Sequence, residues 1–245
     1  MAIVRGQYEV ISCDGDDTLW HCERGFAEAE QRLKHLLVGY ADAPTIKHLL
    51  FDVEMRNLKR YGYGIKSFTL SMITTALELS EGRLSSAEVA QIIEIGHDLI
   101  SQPVDVIPGV HDVLESLSRS HDLWLVTKGD LFDQEAKLDQ SGLAKFFRVV
   151  QVVADKTAAT YQKILSQLGV PPHTFAHVGD SLRSDIIPVL ELGGTAIYVP
   201  YHITWAHEQG QLVEAEMGKR FAKVESFADV PSALVRCAHD KFGRI

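Results

Sequence analysis

VISCDGDDTLW (Val10–Trp20) begins with residues suited to a buried strand and then sets three carboxylates, Asp14, Asp16 and Asp17, within four positions. Adjacent side chains of a strand face opposite ways, so the run can be covered on both faces, with the acids at its carboxyl end. Three acids this close repel one another unless a positive charge lies between them. A divalent cation is the most economical one, and the remaining sequence can be read for the other groups such a site would need.

Downstream of this turn the chain changes period. From about Glu23 to Gln102 apolar residues recur at helical spacing. Phe26, Ala29, Leu33, Leu36 and Tyr40 form one stripe, Ile46, Leu49, Leu50 and Val53 a second, and Phe68, Met72, Ala76 and Leu79 a third. Ser85 and Glu88 have the spacing of a capping box ahead of a fourth stripe, Val89, Ile92, Ile93, Leu99 and Ile100. After Ile107 helices and apolar strands alternate. Helices are expected around Val110–Ser118, Leu131–Gln140, Ala158–Leu168 and Asp185–Leu192. Strands are expected at Tyr8–Cys13, Asp122–Thr127, Arg148–Val153, Thr174–Asp180 and Thr195–Pro200. This alternation implies an α/β fold, a doubly wound parallel sheet covered on both faces. The expected division is an α/β core from residues 1–21 and 104–245, interrupted by a four-helix insert at 22–103.

The 245 residues suffice for such a core and insert, and 46% hydrophobic residues can fill them. A formal charge of −9 argues against a nucleic-acid or anionic-membrane surface, which needs a basic patch. Cys13, Cys22 and Cys237 are odd in number and lack framework spacing, so free thiols and a cytoplasmic location are expected. No basic-then-apolar leader opens the chain, and no run reaches membrane-spanning length.

In a doubly wound sheet, ligands bind outside the carboxyl ends of the strands. Those ends carry Asp14 and Asp16, then Thr127, Lys128 and Gly129, then Asp155 and Lys156, then Gly179 and Asp180 with Asp185 a turn later. These are the parts of phosphoryl transfer. A carboxylate can take the phosphoryl group, Mg²⁺ suits a site of few carboxylates plus phosphate, and Asp14 and Asp180 can hold it. Thr127 and the amides of Lys128 and Gly129 can bind phosphate oxygens, and Lys156 can balance charge. Asp16 can protonate the leaving oxygen and then activate water.

Asp14-Gly15-Asp16-Asp17-Thr18, Thr127, Lys156 and GDSLRSD (Gly179–Asp185) resemble, in order and placement, the four motifs of the haloacid dehalogenase (HAD) superfamily. The insert resembles that superfamily's small helical cap, and the resemblance covers roughly residues 8–200. It implies that Asp14 is nucleophile and metal ligand, and that Asp16 is acid/base with its backbone carbonyl on the metal. It further implies that Thr127 and Lys156 hold phosphate, that Asp180 binds Mg²⁺, and that Asp185 supports the metal's water shell or Lys156. Members that displace halide lack an acid two residues after the nucleophile, so Asp16 favours phosphate-ester hydrolysis of a small phosphorylated metabolite. Phosphomutase and phosphonate hydrolase are the alternatives within the superfamily. A non-enzymatic phospho-acceptor also uses Asp, Thr, Lys and Mg²⁺, but carries its acidic pair on a different strand from the acceptor.

Taken alone, DGDDT also fits a turn or helix cap. A calcium loop would need an acid or amide and then glycine where Thr18 and Leu19 stand. His202, His207 and Glu208, with Trp205 between them, read as a surface loop rather than a second metal site. Cys13 reads as a core residue, and Lys59-Arg60 as a solvated helix end. The substrate and the oligomeric state are not written in the sequence.

Overall fold

Strand β1 (Val10–Cys13), buried at all four positions, lies inside a six-stranded sheet. The computed structural model describes residues 7–208, 210 and 218–242. Beside β1 the sheet contains β2 (Asp122–Lys128), β3 (Val149–Val153), β4 (Phe175–Gly179), β5 (Thr195–Tyr198) and β6 (Phe221–Lys223). Their order is β3-β2-β1-β4-β5-β6, and every pairing is parallel. Val10 is in register with Asp122 on one side and Phe175 on the other, and Cys13 with Leu125 and Val178. The order reverses between β1 and β4, which is where a doubly wound sheet opens a crevice at its carboxyl edge. Asp14 and Asp180 follow directly on those two strands.

Strand alternation splits the core in two. Ile11, Cys13, Leu123, Leu125 and Val178 pack with helix α5 (Val110–Ser118) and with the last helix, α9 (Val230–Phe242). Val10, Trp124, Val126 and Phe175 pack on the other face with α7 (Ala158–Leu168) and α8 (Ile187–Glu191). Cys13 belongs to the first cluster, as its place in a strand requires, and burial pushes its thiol pKa up. Cys13, Cys22 and Cys237 are all free.

The chain forms two compact units. One takes in the described residues up to Glu23, Val104–Lys128 and the described residues from Ala136 onward. The other takes in Arg24–Pro103 and Gly129–Glu135. Its helices are α1 (Glu23–Leu36), α2 (Ala43–Tyr61), α3 (Ile65–Leu79) and α4 (Ser86–Ile100). They bury Leu33, Ile46, Leu50, Phe68, Met72, Ile92 and Leu99 in a core of their own. The capping box is formed: Ser85 accepts from the Glu88 N–H, and Glu88 accepts from the Ser85 N–H at 2.8 Å. Segment 129–135, kept with the core in the sequence reading, groups with the helices because Lys66 donates to Asp130 at 2.9 Å and Gly64 packs on the Asp130 backbone.

Some expectations are corrected. In α4 the buried stripe is Ile92, Ile95, Gly96 and Leu99, in which Ile95 and Gly96 each stand three or four positions from Ile92 and Leu99. Ile93 and Ile100 lie off it, both 38% exposed. Between β4 and α8 stands a single π-helical turn, Leu182–Ile186, so the α-helix starts at Ile187 with Pro188 near its first turn, where a missing N–H costs nothing. Strand β6 and helix α9 are additions. The sheet gains an edge strand of three residues, and Val230, Ala233, Leu234, Cys237 and Ala238 cover one face of it.

Candidate active site

The carboxylates of Asp14, Asp16 and Asp17 do not converge. The fold sends each to its own partner. Asp17 adopts a left-handed backbone (φ 59°) and turns its carboxylate back onto the N–H groups of Cys22, at 2.9 Å, and Glu23, at 3.1 Å. It therefore fixes the exit from the turn, and burial pushes its pKa up to about 8 against those two donors. Asp16 accepts from the Trp20 indole N–H at 2.7 Å and from the Lys137 ammonium at 3.1 Å. Asp14 faces Lys156, with Oδ1 2.5 Å from Nζ.

The acids that do meet are Asp14, Asp180 and Asp185, each offering an oxygen within 4.8 Å of the others. Two come from the strands flanking the crevice and the third from the π turn after β4. Lys156 reaches them from the loop after β3. Its side chain has no exposed surface and donates to Asp185 Oδ1 at 2.7 Å. Burial by itself would lower the lysine pKa, but the Asp14 and Asp185 carboxylates outweigh it and hold the ammonium charged. For Asp14 burial dominates. Together with Asp185, and against Lys156, it pushes the carboxyl up to about 6. Asp180 is also driven well upward, by burial first and then by Asp14, Asp185 and Asp17. Asp185 goes the other way: despite burial, Lys156 and His177 hold its carboxyl below the usual range.

Asp185 is fully occupied. Oδ1 accepts from Lys156 and from His177 Nε2 at 2.9 Å, and Oδ2 accepts from the Ser181 N–H at 3.0 Å. His177 sits beside Ser12 in the β1–β4 register, and its Nδ1 is 2.5 Å from the Ser12 hydroxyl. These partners select its tautomer. Nε2–H donates to Asp185, Nδ1 accepts from Ser12, and burial keeps the ring neutral by lowering its pKa. The Tyr161 hydroxyl closes the network, 3.1 Å from His177 Nε2. A buried, satisfied network of this kind holds Asp185, and through it Lys156, in one place.

Two glycines are required by space. A Cβ at Gly15 would stand 2.7 Å from the Trp20 ring and 3.3 Å from Thr127 Oγ1, which places the buried Thr127 hydroxyl against the turn between Asp14 and Asp16. A Cβ at Gly179 would stand 2.3 Å from Asp185 Cγ. Lys128 follows Thr127 and donates from Nζ to Ser184 Oγ at 2.7 Å and to the Glu208 carboxylate. Gly129 comes next, with φ 146°, a conformation that favours glycine.

The donor set fits a hard divalent cation. It consists of carboxylate oxygens alone, and two of the acids are destabilised as anions, Asp14 by burial and then by Asp185, Asp180 by burial and then by Asp14. Asp14 Oδ1, though paired with Lys156, lacks the alignment of a hydrogen bond and keeps a buried lone pair to offer. Asp180 Oδ1 is oriented by the Thr18 hydroxyl at 3.2 Å.

Three residues that meet these groups are not singled out as functional by the sequence: Lys137 on the helix Leu131–Ser141, His177 within β4, and Glu208. His207 and Glu208 do lie in a short 3-10 turn after β5, yet the Glu208 side chain is only 12% exposed. It accepts from Ser181 and Ser184 as well as Lys128. The expectation of a plain surface loop fails for this residue, because its partners come from segments distant in the sequence.

A model of haloacid dehalogenase-like hydrolases matches residues 8–193. The crystal structure of a haloacid dehalogenase-like family hydrolase from Xanthomonas campestris superposes with a TM-score of 0.83 at 37% identity, covering 95% of this chain and 96% of that one. Pyrimidine 5'-nucleotidase PynA of Streptococcus pneumoniae (strain ATCC BAA-255 / R6) is 35% identical over 120 residues, 46% of this chain and 50% of its own. The chain spans about half the length of the curated relatives it matches. A 2-haloacid dehalogenase from Pseudomonas syringae pv. Tomato DC3000 shares the fold, with a TM-score of 0.61 at 22% identity over 94% of this chain and 99% of that one. The family match runs through all four strand ends whose side chains are described above, and the chain belongs to the haloacid dehalogenase-like hydrolase family.

Proposed function

We propose that the protein hydrolyses a small phosphomonoester through a phospho-enzyme formed on Asp14, with Mg²⁺ as cofactor. One observation carries the reading: Asp14, Asp180 and Asp185 converge within 4.8 Å while Lys156 is buried between Asp14 and Asp185. Asp14 and Asp180, with the Asp16 carbonyl, would hold a divalent ion, whose positive charge would let a phosphate dianion approach a carboxylate. The chain's own groups do the rest. Lys156 neutralises part of the charge on Asp14 and on the arriving phosphate. The Thr127 hydroxyl and the amides of Lys128 and Gly129 bind phosphate oxygens. An Asp14 oxygen attacks phosphorus, the bond from phosphorus to the leaving oxygen breaks, and Asp16 gives that oxygen its proton. Asp16, now a carboxylate, takes a proton from water as the water oxygen attacks the same phosphorus. The bond to Asp14 breaks, phosphate departs and both acids return to their starting states. Asp185, saturated by Lys156, His177 and Ser181, positions Lys156 and leaves direct metal ligation to Asp14 and Asp180.

Asp16 supports hydrolysis over halide displacement, since only the former needs an acid for an oxygen leaving group. The nucleotidase relative supports a phosphorylated substrate and puts pyrimidine nucleoside monophosphates first in a panel with sugar phosphates and phosphorylated acids. Asp14→Asn, assayed with Mg²⁺ and an aryl phosphate, should abolish turnover and leave no acid-stable phosphate on the protein. Retained turnover would count decisively against the proposal. Free phosphate with an alcohol identifies hydrolysis, whereas an isomerised sugar phosphate identifies a mutase. Among the described residues no helix is long and apolar enough to cross a membrane.

A further inference from the structure

Glu208 lies outside the motifs that carry the family resemblance, yet it joins two of the segments that do. One carboxylate oxygen accepts from the Lys128 ammonium, whose residue directly follows Thr127 at the end of β2. The other accepts from Ser181 Oγ and Ser184 Oγ, each at 2.6 Å, in the turn between Asp180 and Asp185. Lys128 closes the ring by donating to Ser184 Oγ at 2.7 Å, and the Ser184 N–H donates to Ser181 Oγ at 3.0 Å. The carboxylate is largely removed from water and faces a cation and two hydroxyls, the situation in which charge-assisted hydrogen bonds are strongest. Its own segment is fixed as well: the Tyr201 hydroxyl lies 2.6 Å from His21 Nδ1, and Arg183 donates to the His207 carbonyl at 2.9 Å. Residues 201–208 thus form a strap, held at Tyr201 and His207, with Glu208 as its contact to Lys128, Ser181 and Ser184.

We infer that Glu208 is a positioning residue that clamps the phosphate-holding end of β2 to the metal-holding turn after β4. The inference rests on the phosphoryl-transfer reading for what those two segments hold. It follows from connectivity: β1, which lies between β2 and β4, is in register with them only as far as Cys13, so past that point side chains join the segments that carry Lys128 and Ser184. A side chain that touches neither metal nor phosphate, but orients the residues that do, typically changes affinity or activity by about 10–100-fold when removed.

The test compares the full-length wild type with Glu208→Ala and Glu208→Gln. Binding of Mg²⁺ and of inorganic phosphate is measured by calorimetry below each variant's melting temperature, alongside turnover of an aryl phosphate. Glu208→Ala should weaken Mg²⁺ or phosphate binding by about 10–100-fold. Glu208→Gln should fall between, because an amide oxygen still accepts from the two serines but no longer offers charge to Lys128. Adding Lys128→Met to Glu208→Ala should cost less than the two changes separately, since the single alanine leaves Lys128 without its carboxylate. Unchanged dissociation constants in both variants overturn the inference, even if melting temperatures drop. If the alanine variant does not fold, the near-isosteric glutamine variant decides. A wild type that binds Mg²⁺ and phosphate but cleaves no phosphomonoester sinks the hydrolysis reading alone, and the binding comparison still decides the role of Glu208. A wild type that binds neither overturns both.

Discussion

A lysine without exposed surface persists only when its charge is matched, and Lys156 is matched by Asp14 at 2.5 Å and Asp185 at 2.7 Å. The arrangement is asymmetric. Asp185 has His177 and the Ser181 N–H as further donors, so it tolerates burial as an anion, whereas Asp14 keeps an oxygen without an aligned hydrogen bond. One carboxylate is thus saturated and the other is not, which is the difference the proposed nucleophile needs from its neighbour. Lys156→Met preserves the length of the side chain and removes the charge. It should destabilise the fold by about 3–5 kcal/mol in urea denaturation, because two buried carboxylates lose their counter-ion. It should also lower kcat on an aryl phosphate by about 100-fold or more, the scale of a lost charge-stabilising donor. Wild-type stability in this variant would show that the carboxylates do not depend on Lys156.

At the level of elements, the junction of β4 with the π turn decides where two acids stand. Asp180 leaves the strand directly, and the turn brings Asp185 back over Gly179, whose missing side chain makes the room. Gly179→Ala adds one methyl, 2.3 Å from Asp185 Cγ, where no neighbour can yield without breaking the Lys156 and His177 contacts. The cost should be about 1–3 kcal/mol of overpacking, with turnover lost in proportion to the displacement of Lys156. Gly39→Ala, which meets no atom within 4 Å, is the matched control and should be neutral. Equal melting temperatures and activities for the two variants would refute the packing argument. This junction also marks what could be read from the sequence. Apolar runs located β1 to β5 and helical periodicity located most helices, because burial leaves a local pattern in the sequence. Periodicity went astray on α4, where Ile93 and Ile100 are apolar but off the stripe. A helix C-terminal to Pro200 was legible too, in the spacing of Val230, Ala233, Leu234, Cys237 and Ala238, although the reading stopped short of it. Which polar group meets which was not legible. Nothing near Asp16 announces Lys137, and nothing near Glu208 announces Lys128, because those pairings exist only once the strands are ordered.

For the molecule as a whole, the strand order sets acids from the start and the last third of the chain side by side, in a protein already carrying a formal charge of −9. Folding therefore works against like-charge repulsion at the crevice, where burial and neighbouring acids drive the Asp180 pKa well above its ordinary value. A divalent cation that binds the folded state and not the unfolded one reverses that cost by mass action, adding about 2.7 kcal/mol at one hundred times its dissociation constant. Two shifts in melting temperature follow. The wild type should melt higher in Mg²⁺ than in EDTA, by an amount that grows with the logarithm of Mg²⁺ concentration. Asp180→Asn, which keeps the shape of the side chain and its contact with Thr18 while removing one anion, should melt higher than the wild type in EDTA and gain little from Mg²⁺. Phosphatase activity should vanish in the same variant, so that greater stability and lost function arise from a single substitution. If Asp180→Asn instead melted lower than the wild type in EDTA and kept the full response to Mg²⁺, the acids at the crevice would be neither in conflict nor the seat of the cation.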